Sequence, residues 1–511
     1  MGYRQTGVRS RDAPLAARLK DMTSGLLETL GRANIARVRQ GYPVIKPLSA
    51  ANPASLTRRE FTLGIGASAI MATTPRPANA LGGPDLLLIL ISDLHSGYAY
   101  TAALVKAVRD LVAANTTAQA AIVINGDVFE SGNVLCVRND GKIDLEVLRI
   151  FADLAPTIVN IGNHDGDILD PQAFAAEVRK LGATLVTNIA DPRIGAPYGV
   201  PSTHISVKGR IVRVSAIGTP ALDTYRNGPA WYSVPAPGPY AASHFPEIAS
   251  GADFHLALVH AGFAADTAVL PSTDAPFLLH GGHDHLRLTQ RLGTNGLHIH
   301  SGYWSNGLAA IGVSFINEGG VRIDAQQIQL TRTSPQDPDL ASLVARERSM
   351  FLTEADLKPV GRLLGELALD DAALFAAQAV RKAADADIGL LNHTTFGDGL
   401  PAESITAFDL ASFVRFDGGF TRALISGAML ADTILPMTNQ FGDFPYARRT
   451  GDFLYSTARN VDRSKTYKVV VNSFATHNAA NLSAYFGTTD LAFEPVPALK
   501  LKSTIAAALA A

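Results

Sequence analysis

Cysteine is nearly absent from this chain, which has one, Cys136, among 511 residues. A single thiol excludes an intramolecular disulfide and any metal site built from cysteine side chains. Aromatic residues make up 7% and charged residues 18% of the chain, against 47% hydrophobic residues, which is the composition of a globular protein and not of a disordered one. Because 511 residues exceed what one hydrophobic core usually supports, we expect two or more domains.

The first eighty residues have the features of an export signal. Residues 57–61 are Thr-Arg-Arg-Glu-Phe, a twin-arginine box, and a weakly apolar run and an Ala-Asn-Ala cleavage site at residues 78–80 follow it. The apolar run is too short to span a bilayer, so we expect no stable membrane anchor. We predict that residues 1–80 are a twin-arginine signal peptide with a long N-region, with Met22 as an alternative start of translation. The twin-arginine export machinery would then deliver the protein to the periplasm or the outside of a bacterial cell.

The chain without this segment is acidic. Residues 1–80 contain twelve Lys or Arg and four Asp or Glu, so their removal changes the net charge from −2 to −10. An acidic surface repels nucleic acid and anionic membranes, so we expect neither as a partner.

Three short apolar runs in the first half of the chain each end in side chains that bind metals or transfer protons. They are residues 86–91 with Asp93 and His95, residues 121–124 with Asp127, and residues 157–159 with Asn163 and His164. Short apolar runs bounded by turn residues fit strands that are buried on both faces of a sheet. Segments with helical spacing lie between them, which predicts parallel strands joined by right-handed crossovers. The carboxyl ends of such strands lie side by side, and ligands bind there.

Two later segments repeat the pattern. Residues 254–259 lead to His260, and residues 277–279 are followed by Gly-Gly-His-Asp-His at 281–285. The five segments supply oxygen and imidazole donors at Asp93, His95, Asp127, Asn163, His260, His283 and His285. Such donors suit divalent ions of the Zn, Mn, Fe or Co type. Seven donors are too many for one tetrahedral ion, but they fit two ions that share a bridging carboxylate, an arrangement that activates water and holds both oxygens of an in-line phosphoryl displacement.

The order of these segments resembles a known family. Asp-x-His, Gly-Asp, Gly-Asn-His-Asp, a single His and Gly-His-x-His follow one another as in the calcineurin-like metallophosphoesterases. Residues 126–132 and 162–167 are similar to the branch of 5′-nucleotidases and 2′,3′-cyclic phosphodiesterases. The resemblance implies a four-layer α/β/β/α sandwich with a smaller α/β C-terminal substrate-binding domain.

The resemblance also implies roles for individual residues. The first metal site would consist of Asp93, His95, Asp127 and His285. The second would consist of Asp127, Asn163, His260 and His283, with Asp127 bridging the two ions. His164 would not be a ligand but would stabilise charge on the phosphoryl oxygens or protonate the leaving group, with Asp167 as its carboxylate partner. Asp165 is expected to point away.

Pro/Gly-rich segments and helical spacing divide the chain into domains. We predict a catalytic domain at residues 81–332, a linker helix at 333–356 and a 5′-nucleotidase-type C-terminal domain at 357–511. In the first domain, Asp170 and the proline after it predict the start of a helix, and residues 235–239 predict a surface loop. In the linker and the second domain we predict helices at residues 339–350, 370–384, 410–414 and 426–437, and strands at 388–391 and 467–471.

The second domain departs from the family in its expected substrate contacts. In the family, two aromatic rings stack on the nucleobase, and Phe416 and Phe474 align with them, although each is equally well explained as a core residue. The family's Gly-Gly-x-Arg segment is Asn-His-Thr-Thr-Phe at residues 392–396, without an arginine. The family's Gly-Gly-Asp-Gly-Tyr is replaced at residues 475–480. Other histidines lack a metal-binding context and are predicted to be structural, among them His255, His280, His298, His300, His393 and His477.

These features predict an exported two-metal phosphohydrolase. We expect it to cleave phosphomonoesters or cyclic phosphodiesters, with nucleotides as the favoured small-molecule substrates, by attack of a metal-activated hydroxide on phosphorus. One alternative is a thiosulfate-ester hydrolase of sulfur oxidation, because such enzymes resemble the same family. The other is a non-catalytic relative that keeps the fold and binds a ligand.

Overall fold

The computed structural model describes residues 83–270, 275–316, 320–438 and 453–510. The predicted signal peptide, residues 1–80, lies outside these ranges. In the part of the chain that the structure describes, no helix combines the length and the apolar character that crossing a membrane requires.

The elements have the following bounds. The strands are β1 (Leu86–Ile91), β2 (Gln119–Asn125), β3 (Thr157–Asn160), β4 (Thr184–Leu185), β5 (Ala190–Asp191), β6 (Ala196–Pro197), β7 (Ser202–Val207), β8 (Arg210–Gly218), β9 (Phe254–His260), β10 (Phe277–Gly281), β11 (Arg287–Leu292), β12 (Gly296–Ser301), β13 (Gly307–Phe315), β14 (Val321–Gln329), β15 (Pro359–Leu363), β16 (Ile388–Asn392), β17 (Glu403–Thr406), β18 (Phe420–Ser426), β19 (Leu454–Ser456), β20 (Thr466–Asn472) and β21 (Glu494–Val496). The helices are α1 (Thr101–Ala114), α2 (Val134–Arg138), α3 (Lys142–Leu154), α4 (Pro171–Lys180), α5 (Gly228–Trp231), α6 (Pro237–Ala249), α7 (Phe263–Val269), α8 (Pro338–Phe351), α9 (Glu354–Leu357), α10 (Leu369–Ala383), α11 (Ala407–Phe413), α12 (Gly427–Met429), α13 (Ala479–Phe486) and α14 (Leu501–Ala510).

Two six-stranded sheets form the first domain. The first has the strand order β14-β13-β1-β2-β3-β4 and the second has the order β11-β12-β10-β9-β8-β7. Strands β1 to β4 are parallel to one another, as are β8, β9, β10 and β12. The predicted parallel strands with helical crossovers are therefore present, and the parallel strands of each sheet end at a common edge.

Strand β1 shows why the domain has four layers. Its side chains alternate between the two faces of the sheet, and all six are fully buried. Leu86, Leu88 and Leu90 lie in the core between the two sheets, together with residues of β8 and β9. Leu87 and Ile89 pack with helices α1 and α3 on the other face. On the far side of the second sheet, α6 and α7 cover β9 and β10, so the predicted α/β/β/α sandwich is confirmed.

A five-stranded sheet with the order β19-β16-β20-β18-β21 forms the core of the second domain. Helix α10 packs its alanine-rich face on one side of this sheet, against Leu391 and Val470. The segment after α12 and helix α13 cover the other side, against Leu390 and Val471. This is the smaller α/β domain that the sequence predicts.

Helix α8 follows the first domain and stays attached to it. Its N-cap Asp337 accepts a hydrogen bond from the Leu340 amide, 3.0 Å away, and its Oδ2 lies 2.8 Å from Arg109 Nε. Glu347, fully buried, is 2.7 Å from Lys142 Nζ. Helix α8, which lies within the predicted linker, therefore packs along the first domain.

Two predicted elements differ from the structure. Residues 235–239 were expected to form a loop, but helix α6 begins at Pro237. Prolines are tolerated there because the first turn of a helix has no use for their missing N–H groups. The helix expected at residues 426–437 is α-helical only at α12, capped by Ser426, and then continues as a π turn and a 3-10 turn. Pro436 has no N–H with which to extend the α-helical pattern.

Candidate metal centre

The seven predicted donors lie together at the carboxyl ends of the strands. The first sheet supplies Asp93 and His95 after β1, Asp127 after β2 and Asn163 after β3. The second sheet supplies His260 at the end of β9, and His283 and His285 after β10. Six of these seven residues are buried, and His285 is half-buried. The term candidate metal centre is used below for these seven residues.

The donors form two groups on either side of Asp127. The ligand atoms of Asp93, His95 and His285 all lie within 4.8 Å of one another. The same holds for Asp127, His260 and His283. Asp127 Oδ2 lies 2.9 Å from His260 Nε2 in its own group and 3.5 Å from His95 Nε2 in the other. One carboxylate therefore faces both groups.

Asn163 and His283 connect the two sheets. Asn163 Oδ1 lies 2.8 Å from His283 Nδ1. The backbone N–H of His283 donates to Asp93 Oδ1 over 2.9 Å. Residues from three separate segments thus share one cluster.

The nitrogens of the cluster are arranged to receive a cation. His260 Nδ1 lies 2.6 Å from the Asn125 carbonyl oxygen, which orients the ring and, in the neutral imidazole, places the proton on Nδ1 so that Nε2 is the free donor. Among the described residues, His260 Nε2 has no hydrogen-bond partner of acceptable geometry. His95 Nε2 and His285 Nε2 approach each other to 2.9 Å, and two imidazole nitrogens at that distance need a proton or a cation between them. Oxygen and imidazole donors of this kind fit divalent ions of the Zn, Mn, Fe or Co type.

The backbone at the centre is strained. Five of the seven donor residues have positive φ: Asp93 (52°), His95 (46°), Asp127 (53°), His283 (80°) and His285 (49°). Such a conformation costs a residue other than glycine roughly 1–2 kcal/mol. The surrounding contacts must therefore hold these loops in place.

Asp165 and Gly162 provide part of that support. The Asp165 carboxylate accepts hydrogen bonds from the backbone N–H groups of Val128 and Gly162, both at 2.7 Å. It therefore joins the loops after β2 and β3 and does not point away, as the sequence had suggested. A Cβ on Gly162 would come within 2.2 Å of Asp127 Oδ1, so no larger residue fits there.

His164 and Asp167 lie beside the cluster as a pair. His164 Nδ1 is 3.0 Å from Asp167 Oδ2, and the ring of His164 lies 5.1 Å from that of His95. Ser131 Oγ donates to the same Asp167 oxygen over 2.7 Å. Burial alone would lower the pKa of His164, but the charges of Asp127 and Asp167 and the hydrogen bond to Asp167 outweigh it and raise the pKa to about 9. Cations bound nearby would oppose this increase.

Three further residues contact His95 or its neighbours: Glu130, Trp304 and Arg415. Glu130 Oε2 lies 3.3 Å from His95 Nδ1, and its Oε1 lies 3.1 Å from Arg415 Nη2. Trp304 stacks on His95 with ring centroids 4.6 Å apart, and the Arg415 guanidinium lies 4.6 Å from the Trp304 ring centroid. Sequence reasoning missed all three, because only the folded chain brings them next to His95.

Arg415 and His393 belong to the second domain, which therefore contacts the centre directly. His393 Nε2 lies 3.0 Å from the carbonyl oxygen of Asp284, between two donor residues of the centre. Phe416, which follows Arg415, is half-buried. Phe474 is also half-buried and packs within its own domain, with its ring centroid 6.4 Å from that of Tyr485. Arg415 and His393 thus reach the first domain, whereas the ring contact of Phe474 is with Tyr485 of its own domain.

Asp144 lies beneath the loop that carries His95. It is buried and accepts hydrogen bonds from Tyr98 OH, at 2.6 Å, and Ser96 Oγ, at 3.1 Å. Burial raises its pKa from 3.8 to about 7, although these hydrogen bonds oppose the increase. In the unfolded chain the carboxyl group would lose its proton near its ordinary pKa.

We therefore expect Asp144 to make stability depend on pH. Because the folded state holds the proton more tightly, its contribution is full below about pH 4 and is lost as the pH rises to about 7, with a total of about 2–4 kcal/mol. An Asp144→Asn variant stays neutral, so its stability relative to the natural chain should increase over that range. Thermal unfolding from pH 4 to 8 measures this, with Asp324→Asn at an exposed site as the control. A difference that does not change with pH would contradict the assignment.

Two parts of the chain match known protein families. Residues 86–287 match the family described as calcineurin-like phosphoesterase, and residues 370–486 match the family described as 5′-nucleotidase, C-terminal domain. The chain thus contains a calcineurin-like phosphoesterase domain followed by a 5′-nucleotidase C-terminal domain, as the order of motifs predicts.

Solved structures share this two-domain fold. The 5′-nucleotidase precursor from Thermus thermophilus is 16% identical with a TM-score of 0.53, over 83% of this chain and 96% of that one. The 5′-nucleotidase from Candida albicans is 12% identical with a TM-score of 0.55, over 84% and 99% of the two chains. The sulfate thiohydrolase SoxB from Thermus thermophilus is 14% identical with a TM-score of 0.55, over 84% and 95%. No curated protein matches the sequence significantly.

Proposed function

We propose that this protein is a dinuclear-metal phosphohydrolase that cleaves phosphomonoesters or cyclic phosphodiesters, with nucleotides as the favoured substrates. The observation that carries the proposal is the position of Asp127, whose carboxylate faces both groups of donors. A non-catalytic relative has no need for a complete donor set around a shared carboxylate.

The donor groups suggest which residues would hold each ion. Asp93, His95, Asp127 and His285 would hold the first, and Asp127, Asn163, His260 and His283 the second. Two bound divalent cations would lower the pKa of a coordinated water molecule and neutralise charge on the phosphoryl oxygens.

The chain's own residues would orient the groups and supply the proton. The Asn125 carbonyl fixes the tautomer of His260, so that Nε2 can serve as a ligand. Asp167 holds Nδ1 of His164, so that the other ring nitrogen is available to the substrate. His164 would stabilise a phosphoryl oxygen in the transition state or protonate the leaving oxygen as its bond to phosphorus breaks.

We propose Arg415 as a substrate-binding residue in place of the arginine that residues 392–396 lack. Its guanidinium is buried, and among the described residues its Nε and Nη2 have no hydrogen-bond partner of acceptable geometry. Glu130 lies close enough to balance its charge. Unsatisfied donors on a planar cation suit a phosphate or another anionic group of the substrate.

Replacing Arg415 with alanine should lower kcat/KM by roughly 10- to 100-fold through a higher KM, because a charge-assisted contact to the substrate is lost. Steady-state kinetics measure this, and metal analysis should show an unchanged metal content. Arg422→Ala removes an exposed arginine of the same domain and is the control. A loss of bound metal instead would show that Arg415 acts on His95 through Glu130, and unchanged kinetics would exclude both roles.

A second candidate function is the hydrolysis of thiosulfate esters. The sulfate thiohydrolase shares the fold, and the arginine expected to grip a nucleotide is missing from residues 392–396. The test is to reconstitute the purified protein with metal and offer nucleotides, cyclic nucleotides, nucleotide sugars and thiosulfate adducts. Release of phosphate supports the first function and release of sulfate the second. Metal binding without any turnover would leave only the ligand-binding alternative.

We also propose the domain boundaries and the export route given by the sequence. Residues 1–80 would be the twin-arginine signal peptide, 81–332 the catalytic domain, 333–356 the linker helix and 357–511 the substrate-binding domain, and the protein would be periplasmic or secreted. Replacing both Arg58 and Arg59 with lysine should keep the chain in the cytoplasm with its signal attached. Continued export would contradict this proposal.

A further inference from the structure

A second cluster of metal-binding side chains lies behind the candidate metal centre, on the face of the second sheet that helix α7 covers. It consists of Asp266 of α7 and His298 and His300 of β12, and all three are almost completely buried. The Nε2 atoms of His298 and His300 lie 3.1 and 2.8 Å from the same oxygen, Asp266 Oδ2. The three ligand atoms lie within 4.8 Å of one another.

The alternation of strand β12 produces this arrangement. Leu297 and Ile299 point into the core between the sheets, so His298 and His300 point to the opposite face. Two histidines separated by one residue on a strand therefore present both rings to one point. Phe263, also of α7, packs against the two rings with centroids 5.5 and 6.4 Å away.

The neighbouring strand leaves space for the cluster. Gly281 of β10 lies opposite His300 in the register of the parallel pair. A Cβ on Gly281 would come within 2.2 Å of His300 Nε2 and 2.5 Å of Asp266 Oδ2. A side chain is therefore excluded at this strand position, next to the His300 imidazole and the Asp266 carboxylate.

The carboxylate of Asp266 has an unused oxygen. Among the described residues, Asp266 Oδ1 has no hydrogen-bond partner, although it is buried. A buried carboxylate is unfavourable unless a cation and a full set of partners compensate it. The donor separations of 2.8 and 3.1 Å in the cluster are similar to the 2.9 Å between His260 Nε2 and Asp127 Oδ2 in the candidate metal centre.

We propose that Asp266, His298 and His300 bind a further divalent metal ion, of the zinc type, that is separate from the candidate metal centre. Two imidazoles and a carboxylate are a known ligand set for such ions, and the unused Oδ1 of Asp266 supplies the fourth donor that a structural site needs. Because the cluster is closed to solvent, the ion is structural. It fixes helix α7 to strand β12 behind the segment that carries His283.

The direct test is an anomalous difference map from crystals of the full-length protein, collected at the absorption edge of the metal found in it. A peak bounded by Asp266, His298 and His300 is expected, and it requires no variant. Density that shows only hydrogen-bonded side chains, in crystals whose candidate metal centre is occupied, would overturn the proposal.

Metal analysis of variants provides an independent test. The natural chain should contain about three ions, and an Asp127→Asn variant should keep about one, because the cluster does not depend on the candidate metal centre. A His298→Gln/His300→Gln variant should lose about one ion and keep the others. His255→Gln is the matched control, since His255 is a buried histidine that hydrogen-bonds Ser215 instead, 2.8 Å away. If the double variant loses no metal relative to this control, the proposal is wrong.

Discussion

Replacing Asp127 with asparagine is expected to lower kcat by about 1,000-fold or more and to reduce the amount of bound metal. Asparagine has almost the same shape, so the contact between the side-chain oxygen and the His164 amide, 2.8 Å long, can be kept. What disappears is the negative charge that faces both groups of donors. A neutral amide cannot offset two dications, so both sites weaken together.

Two measurements decide this prediction. Metal content is determined by elemental analysis after dialysis, and hydrolysis is measured on whichever substrate the screen identifies. Asp324→Asn makes the same chemical change on the exposed face of β14 and should alter neither quantity. If the Asp127 variant keeps its metal and its activity, the assignment of the centre fails.

Replacing His164 with asparagine is expected to lower kcat by roughly 100- to 10,000-fold while leaving the metal content unchanged. His164 lies beside the cluster, with about a fifth of its side chain exposed, and its Nδ1 is held by Asp167. It is therefore placed to touch the substrate without being needed to hold an ion. Asp167→Asn should have a smaller effect of the same kind, because it disturbs the orientation and protonation of the ring.

The leaving group distinguishes the two roles of His164. If His164 protonates the leaving oxygen, the substitution should slow the hydrolysis of a nitrophenyl ester much less than that of an alkyl ester, because nitrophenolate leaves without a proton. Equal losses would show that His164 stabilises the phosphoryl oxygens. His244→Asn, at an exposed histidine of α6, is the control. Loss of metal in the His164 variant would contradict its placement outside the ligand set.

The sequence predicts the layers and the strand ends because these depend on local patterns. The side chains of strand β1 alternate between two buried faces, and Asp93 and His95 follow shortly after its last residue, Ile91. The apolar pattern that predicts where the strand ends therefore also predicts where these donors lie. Helix α4 begins where Asp170 and the proline after it predict, with the Asp170 side chain accepting from the Gln172 amide over 2.8 Å. Local capping chemistry of this kind does not depend on the rest of the fold.

What the sequence does not predict are contacts between distant segments. Glu130, Trp304 and Arg415 have no local pattern that places them next to His95, and Arg415 comes from the other domain. The prolines of residues 235–239 predict a loop because proline often breaks helices, whereas the first turn of a helix accepts it. The Asp266 cluster was missed for the same reason, since His298 and His300 find their carboxylate on a helix that is far from β12 in the sequence.

The positive φ angles at five donor residues have a consequence for how this protein can change. Glycine at Asp93 or His285 would relax the backbone and remove a ligand at the same time. Selection for folding in the absence of metal would therefore favour the loss of these side chains, whereas selection for turnover would retain them. Laboratory evolution of a heat-resistant variant should consequently monitor hydrolysis in every round, because heat resistance and inactivity can arise from a single substitution.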